Sequence, residues 1–120
     1  MQALLIVAHG SRREASNNEV RVLTTNIINQ TDNPFELVET AFLELAEPSI
    51  PDGLEACIKK GADEVVVFPY FLAAGTHVVT DIPNEIQPVS NKYPDVKITI
   101  APHLGRSPQL TDAILALASS

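Results

Sequence analysis

This chain predicts an α/β fold built on a four-stranded parallel sheet, and three observations carry that expectation. Short apolar runs recur at Ala3 to Ala8, Phe35 to Leu45, Val65 to Pro69 and Val96 to Ala101. The stretches between them repeat apolar residues at close to the helical period, or carry helix start and stop signals. The resulting order is βαβαβαβα, in which helices serve as crossovers. That gives a flavodoxin-like sheet with helices on both faces, since four strands cannot close a barrel.

The first strand, Ala3 to Ala8, contains no polar residue, as expected of a strand covered on both faces and therefore central. It stops at His9-Gly10-Ser11. Gly10 can take backbone angles denied to other residues, and Ser11 is a good N-cap for a helix opening near Arg12 and Glu14. From Glu14 to Gln30, apolar Ala15, Val20, Leu23, Ile27 and Ile28 mark the first helix, which Thr31-Asp32-Asn33-Pro34 ends.

Phe35 to Leu45 fits either period, and its short span between two turns favours a strand. Pro48, Ser49 and Pro51 then signal a second helix running to about Lys60, with Gly61 closing it. Val65-Val66-Val67-Phe68-Pro69 is too branched for a favoured helix and too apolar for a sheet edge. Tyr70 to Pro83 reads as a loop, and Glu85 to Tyr93 as a helix that Pro88 kinks or delays. Val96 to Ala101 alternates apolar and polar residues like a strand covered on one face and near an edge. Ser107-Pro108 opens the last helix, Leu110 to Ala118.

The 120 residues are expected to form one domain, so a cleft needing two lobes would require a second copy. No apolar run approaches the roughly 20 residues needed to cross a bilayer. The first apolar stretch lacks a basic leader and a small-residue cleavage site, which gives the expectation of a cytoplasmic protein with no membrane partner. A net charge of −7 argues against nucleic acid, which rewards clustered Lys and Arg. The single cysteine, Cys57, excludes an internal disulfide and any multi-cysteine metal cage, and reads as a buried core thiol.

The chemistry-bearing residues gather at one rim. His9, His77 and His103 all follow strands, at the carboxyl ends where open α/β sheets bind ligands. Two neutral imidazoles with a carboxylate such as Glu44 form a ligand set suited to cobalt, nickel, iron or zinc. The same imidazoles can instead accept protons near neutral pH. The plainer alternative for each is an imidazole hydrogen-bonded to loop backbone. No P-loop, H-E-x-x-H or G-x-S-x-G motif is present.

Four ordered segments together carry a resemblance: V-A-H-G-S-R, A-F-L-E-L-A-E-P-S-I-P-D-G-L, V-V-V-F-P-Y-F-L-A-A-G-T-H-V-V-T-D-I-P and A-P-H-L-G-R-S-P. Over nearly its whole length the chain resembles the short, single-domain sirohydrochlorin chelatases of the class II chelatase family, which insert cobalt, iron or nickel into a tetrapyrrole. The resemblance implies a lyase acting in siroheme or cobalamin biosynthesis on a chelatase-like half-domain. It implies no tightly bound cofactor, with Co2+, Fe2+ or Ni2+ as substrate beside sirohydrochlorin. It matches His9 and His77 to the two active-site histidines and Glu44 to a carboxylate near the metal path. It transfers nothing to His103.

Further implied contacts to the tetrapyrrole are Ser11, Arg12, Tyr70, Phe71, Leu72, Gly75 and Thr76. Thr76 stands where relatives carry an arginine, in G-R-H-V. Val78 and Val79 would join the apolar face, and Arg13 and Arg106 would join Arg12 as anchors for substrate carboxylates. Because relatives with two such halves in tandem exist, a homodimer is expected to build the cleft. A non-catalytic metal or tetrapyrrole carrier on the same scaffold is the alternative, and it predicts retention without turnover.

Overall fold

A computed structural model describes residues 1–120. Strands β1 (Gln2–Ala8), β2 (Leu37–Phe42), β3 (Glu64–Pro69) and β4 (Lys97–Ile100) form one parallel sheet in the order β2-β1-β3-β4. Helices α1 (Glu14–Ile28), α2 (Ile50–Lys59), α3 (Ile82–Lys92) and α4 (Gln109–Ala118) follow them in turn. No helix is long and apolar enough to cross a membrane.

The two most apolar strands, β1 and β3, lie side by side at the centre, and Ala3 to Ala8 are all buried. Alternation along the strands divides the sheet into two faces. Ala3, Leu5, Val7, Val65 and Val67 pack with Leu54 and Cys57 of α2 and with Ile82, Ile86 and Val89 of α3. Leu4, Ile6 and Val38 face the other way, against Val20 and Ile27 of α1. Cys57 is fully enclosed, and burial pushes its thiol up to about 11, so it stays protonated as a core residue.

Helix α2 begins where the sequence signals it. Ser49 is the N-cap and accepts from the Asp52 amide at 3.2 Å, with Pro51 in the first turn and Gly61 at φ +110° just past the end. The edge position of β4 also follows from its alternating pattern.

The structure corrects four expectations. Ser11 does not cap α1: Arg13 holds that position, while the Ser11 hydroxyl accepts from the Arg13 amide at 3.0 Å in a local turn. The inward stripe of α1 is Asn17, Val20, Thr24 and Ile27, with Ala15 and Ile28 exposed, because two polar residues here find buried partners. Residues 77–83 are not loop: His77–Asp81 form a π-helical turn that runs straight into α3 at Ile82. Pro83 follows that turn without a break, so its missing N–H leaves a gap in the ladder at the junction of π turn and α-helix, and Pro88 is accommodated inside the helix. Finally, α4 forms but covers neither face, since none of its residues is buried.

Candidate active site

His9 reaches the rim because the chain leaves β1 at Gly10. Gly10 has φ +91°, and a Cβ there would lie 1.7 Å from the Glu44 carbonyl oxygen, so only glycine permits the approach. The Leu43 and Glu44 amides donate to the carbonyls of Ala8 (2.9 Å) and His9 (3.0 Å), extending the β1–β2 pairing past both strands. His9 Nε2 consequently lies 3.2 Å from Glu44 Oε1. Beyond Glu44 the chain turns through Leu45 at φ 65°, a left-handed conformation that costs a leucine roughly 1 kcal/mol.

Two residues of α1 fix this corner. Asn17 is buried, donates from Nδ2 to the Ser11 carbonyl at 2.8 Å and accepts from the Ser11 amide at 2.9 Å. The histidine-glycine-serine turn is thereby closed by a side-chain amide that mimics backbone. Arg21 pairs with Glu14 at 2.6 Å, lies 5.1 Å from the Phe42 ring centroid, and donates to the Glu47 carbonyl at 3.1 Å. Its guanidinium joins α1 to the loop that carries Glu44, and the hydrogen bond from Arg21 holds the Glu14 carboxyl below its ordinary value.

His77 arrives from the end of β3. Helical spacing in the π turn sets Asp81 on the same side, with its Oδ2 2.8 Å from His77 Nδ1. The imidazoles of His9 and His77 face each other with centroids 4.8 Å apart at 54°, and the Phe71 ring lies 6.4 Å from His77 at 30°. Glu44, His77 and Asp81 line a cleft of about 310 Å³ with Leu43, Asn84 and Glu85. Three carboxylates and a ring nitrogen make this cleft attractive to cations.

Hydrogen-bond accounting at His9 points the same way. Its Nδ1 is 3.0 Å from the Gly10 carbonyl and its Nε2 faces a carboxylate, so both ring nitrogens meet acceptors. A neutral imidazole has one N–H and satisfies only one of them. A proton, or a divalent cation lying between Nε2 and Oε1, satisfies both. Ligands at about 2.1 Å from a common ion and at right angles stand roughly 3.0 Å apart, close to the separation seen. No third His, Cys, Asp or Glu completes a ligand cluster, so the pair offers only part of a coordination shell.

The other candidate residues spread along the rim. Tyr70, Phe71, Leu72 and Leu104 line an apolar pocket of about 200 Å³, with Leu72 71% exposed. Gly75 and Thr76 are exposed, and the Gly75 carbonyl accepts from the amides of Val78 and Val79, both at 3.1 Å. Ser11 has its amide and carbonyl taken by Asn17. Arg12, Arg13 and Arg106 form no ion pair within the chain and stay available to anions. His103 lies elsewhere, in a cavity of about 410 Å³ with Phe68, Pro102, Leu104, Arg106 and Ser107. The sequence alone does not single out Asp81, Asn17 or Arg21. The H-x-x-x-D spacing would have given Asp81 had residues 77–81 been read as helical.

A family model described as CbiX matches residues 3–120. The sirohydrochlorin ferrochelatase of Bacillus subtilis (strain 168) is 36% identical over 113 residues, which cover 94% of this chain and 42% of that protein. The sirohydrochlorin cobaltochelatase of Sulfolobus acidocaldarius is 36% identical over 114 residues, covering 95% of this chain and 87% of that protein. A solved structure of the sirohydrochlorin chelatase SirB from Bacillus subtilis subspecies spizizenii in complex with cobalt superposes with a TM-score of 0.88 at 33% identity, covering 98% of this chain and 50% of that one. The chain spans under half the length of the curated relatives it matches first.

Proposed function

The chain belongs to the CbiX family, and on that premise we propose that it is a sirohydrochlorin chelatase, a lyase that inserts a divalent cation into the macrocycle. The observation that carries this reading is the facing pair His9 and His77, 4.8 Å between ring centroids, at the mouth of an acidic cleft. Relatives named for iron and for cobalt insertion support the substrate class, and imidazole with carboxylate accepts Co2+, Fe2+ or Ni2+ alike.

Metal insertion removes two pyrrole protons and exchanges the ligands of the incoming ion for ring nitrogens. The site meets both needs with its own side chains. Asp81 accepts a hydrogen bond from Nδ1–H of His77, which leaves the Nε2 lone pair free to take up a proton. His9 Nε2 and Glu44 Oε1 hold the arriving ion with two ligands, few enough for it to leave. The acidic cleft supplies the ion, and Tyr70, Phe71, Leu72 and Val79 present an apolar ledge to the macrocycle plane. Ser11, Gly75 and Thr76 would add further contacts to the tetrapyrrole, and Arg12 with Arg106 would pair with substrate carboxylates.

One copy offers one wall of such a cleft, so this reading includes a homodimer that supplies the facing wall. The test is anaerobic incubation with sirohydrochlorin and cobalt, iron or nickel in turn, followed by the visible spectrum. Multiple turnovers above the uncatalysed rate are expected, with His9→Ala and His77→Ala each lowering the rate at least about 100-fold. Wild-type rates in both variants would sink the assignment, and stoichiometric retention without release would favour a carrier.

A further inference from the structure

Glu44 rides on a loop that leaves the sheet and returns to it at one residue. The Phe42 amide donates to the Pro48 carbonyl at 2.9 Å, which closes residues 43–47 into a short excursion from the end of β2. On the β1 side, the amides of Leu43 and Glu44 pair with the carbonyls of Ala8 and His9, and the pairing stops there. Leu45 follows, exposed and at φ 65°, a conformation that leucine does not favour. Across residues 45–47 the backbone makes a single hydrogen bond, accepted by the Glu47 carbonyl from Arg21 Nη2 at 3.1 Å. A segment so sparsely bonded, and strained at one residue, keeps its shape only if its surroundings hold it.

Arg21 is itself held on every side. Its Nη1 donates to Glu14 Oε1 at 2.6 Å and to Asn18 Oδ1 at 2.8 Å, and its guanidinium carbon lies 5.1 Å from the centroid of the buried Phe42 ring. Glu14 passes the restraint on. Its other oxygen accepts from Asn17 Nδ2 at 3.2 Å, and Asn17 closes the turn after His9 through the Ser11 amide and carbonyl. An unbroken hydrogen-bonded chain thus runs from Ser11 through Asn17, Glu14 and Arg21 to Glu47. One end fixes the turn that follows His9, and the other fixes the loop that follows Glu44. These are the two residues whose Nε2 and Oε1 stand 3.2 Å apart.

We propose that Arg21 is a positioning residue for the incoming cation, clamping the Glu44 loop to α1 so that the gap between His9 and Glu44 keeps the width of a shared ion. The inference rests on the ion-holding role given to that pair in the proposed function and names what sets its geometry. Charge works against such a role, because a guanidinium near a cation site repels the cation. Deleting it leaves Glu14 uncompensated, so electrostatics alone predicts tighter cation binding, whereas loss of the clamp predicts weaker binding. Three acceptors in different directions also call for the planar fork of arginine, which a lysine ammonium on its flexible stem does not reproduce.

The test is titration calorimetry of Co2+ into the full chain without tetrapyrrole, comparing wild type with Arg21→Met, Arg21→Lys and Glu14→Gln. Arg21→Met keeps an unbranched apolar stem over Phe42 and loses every donor. The cobalt dissociation constant is expected to rise about tenfold in Arg21→Met and in Arg21→Lys alike, the scale seen when a partner that orients a metal ligand is removed. Sirohydrochlorin binding, read from the visible spectrum without metal, stays at the wild-type value, and in turnover KM rises for the metal and not for sirohydrochlorin. General destabilisation would move both. Unchanged or tighter cobalt binding in Arg21→Met, or wild-type binding in Arg21→Lys, would overturn the proposal. Should the Arg21 variants fail to fold, Glu14→Gln at its exposed position still decides: a smaller loss in the same direction supports the clamp, and an unchanged constant removes it. His9→Ala separates the two readings. Cobalt binding lost with His9 but intact in the Arg21 variants removes the clamp and leaves the holding pair, whereas binding indifferent to His9→Ala removes the pair and the clamp with it.

Discussion

The two histidines of the site are held in opposite ways. His9 sits in a corner closed by Gly10 against Glu44, by the double hydrogen bond of Asn17 and by the reach of Arg21 across Phe42. His77 stands on a segment exposed from Leu72 to His77, where a Cβ on Gly75 would meet nothing within 4 Å. The difference teaches that a facing pair needs only one rigid member. In the proposed reaction the fixed side would define where an ion is held, and the open side would leave room for a large planar substrate to enter.

The sharpest way to break this contrast is to add one methyl group to each side. Gly10→Ala drives a Cβ into the Glu44 carbonyl at a positive φ, and should cost at least about 3 kcal/mol in urea unfolding and abolish metal insertion. Gly75→Ala, made in open space, should change stability by less than about 0.5 kcal/mol. If the two variants unfolded alike, the corner would not be the rigid side.

Asn17→Leu comes next. It fills similar volume but leaves the Ser11 amide and carbonyl without their partner, and should lower stability by about 2 kcal/mol, read from the denaturant midpoint. Asp81→Asn belongs to the open side. Exposed and away from the core, it should leave the melting temperature nearly unchanged while lowering turnover about tenfold, because the His77 tautomer is no longer fixed. A pH–rate profile of that variant, displaced from wild type, would distinguish this role from simple packing.

The smallest effect concerns the tie between α2 and α3, the helix that continues from His77. Lys92 Nζ lies 2.8 Å from Glu55 Oε1, and that hydrogen bond holds the Glu55 carboxyl below its ordinary value and the Lys92 ammonium above its own. A depressed carboxyl contributes stability that is present above its unfolded value and lost as pH falls through the folded one. The raised ammonium contributes below its unfolded value, and that is lost as pH rises through the folded one. Glu55→Gln should therefore melt slightly below wild type at pH 7, and the gap should close on acidification. A gap that persisted at about pH 3 would mean that the tie acts by packing, not charge.

The rigid corner was partly legible in the chain. An apolar run that stops at His9-Gly10 announces a buried strand giving way to a turn, and φ +91° at Gly10 is what that glycine is for. Asn17 was not legible, because a polar residue in an amphipathic helix ordinarily marks the solvent side. Its partners, the amide and carbonyl of Ser11, exist as such only once the turn has formed. On the open side, Glu85 to Tyr93 was legible as a helix in spite of Pro88, but Pro83 masked the turn that precedes it, and Asp81 was lost with that turn. The long apolar tail was legible as a helix, but what it packs against was not.

Composition, periodicity and the spacing of turn signals determined the four strands, the parallel α/β sheet and the rim on which His9, Glu44 and His77 lie; burial on two faces leaves an unbroken apolar signature in the central strands, and the second strand rested on its short span between turns. The resemblance of the four motifs to the chelatases was likewise readable without coordinates. Only the tertiary structure decided that the two rings meet at 4.8 Å, that Asp81 backs one of them and Asn17 the turn beside the other, and that α4 stands off its own sheet. These depend on contacts between residues distant along the chain, or on a backbone path that local propensity opposes, and neither leaves a period in the sequence.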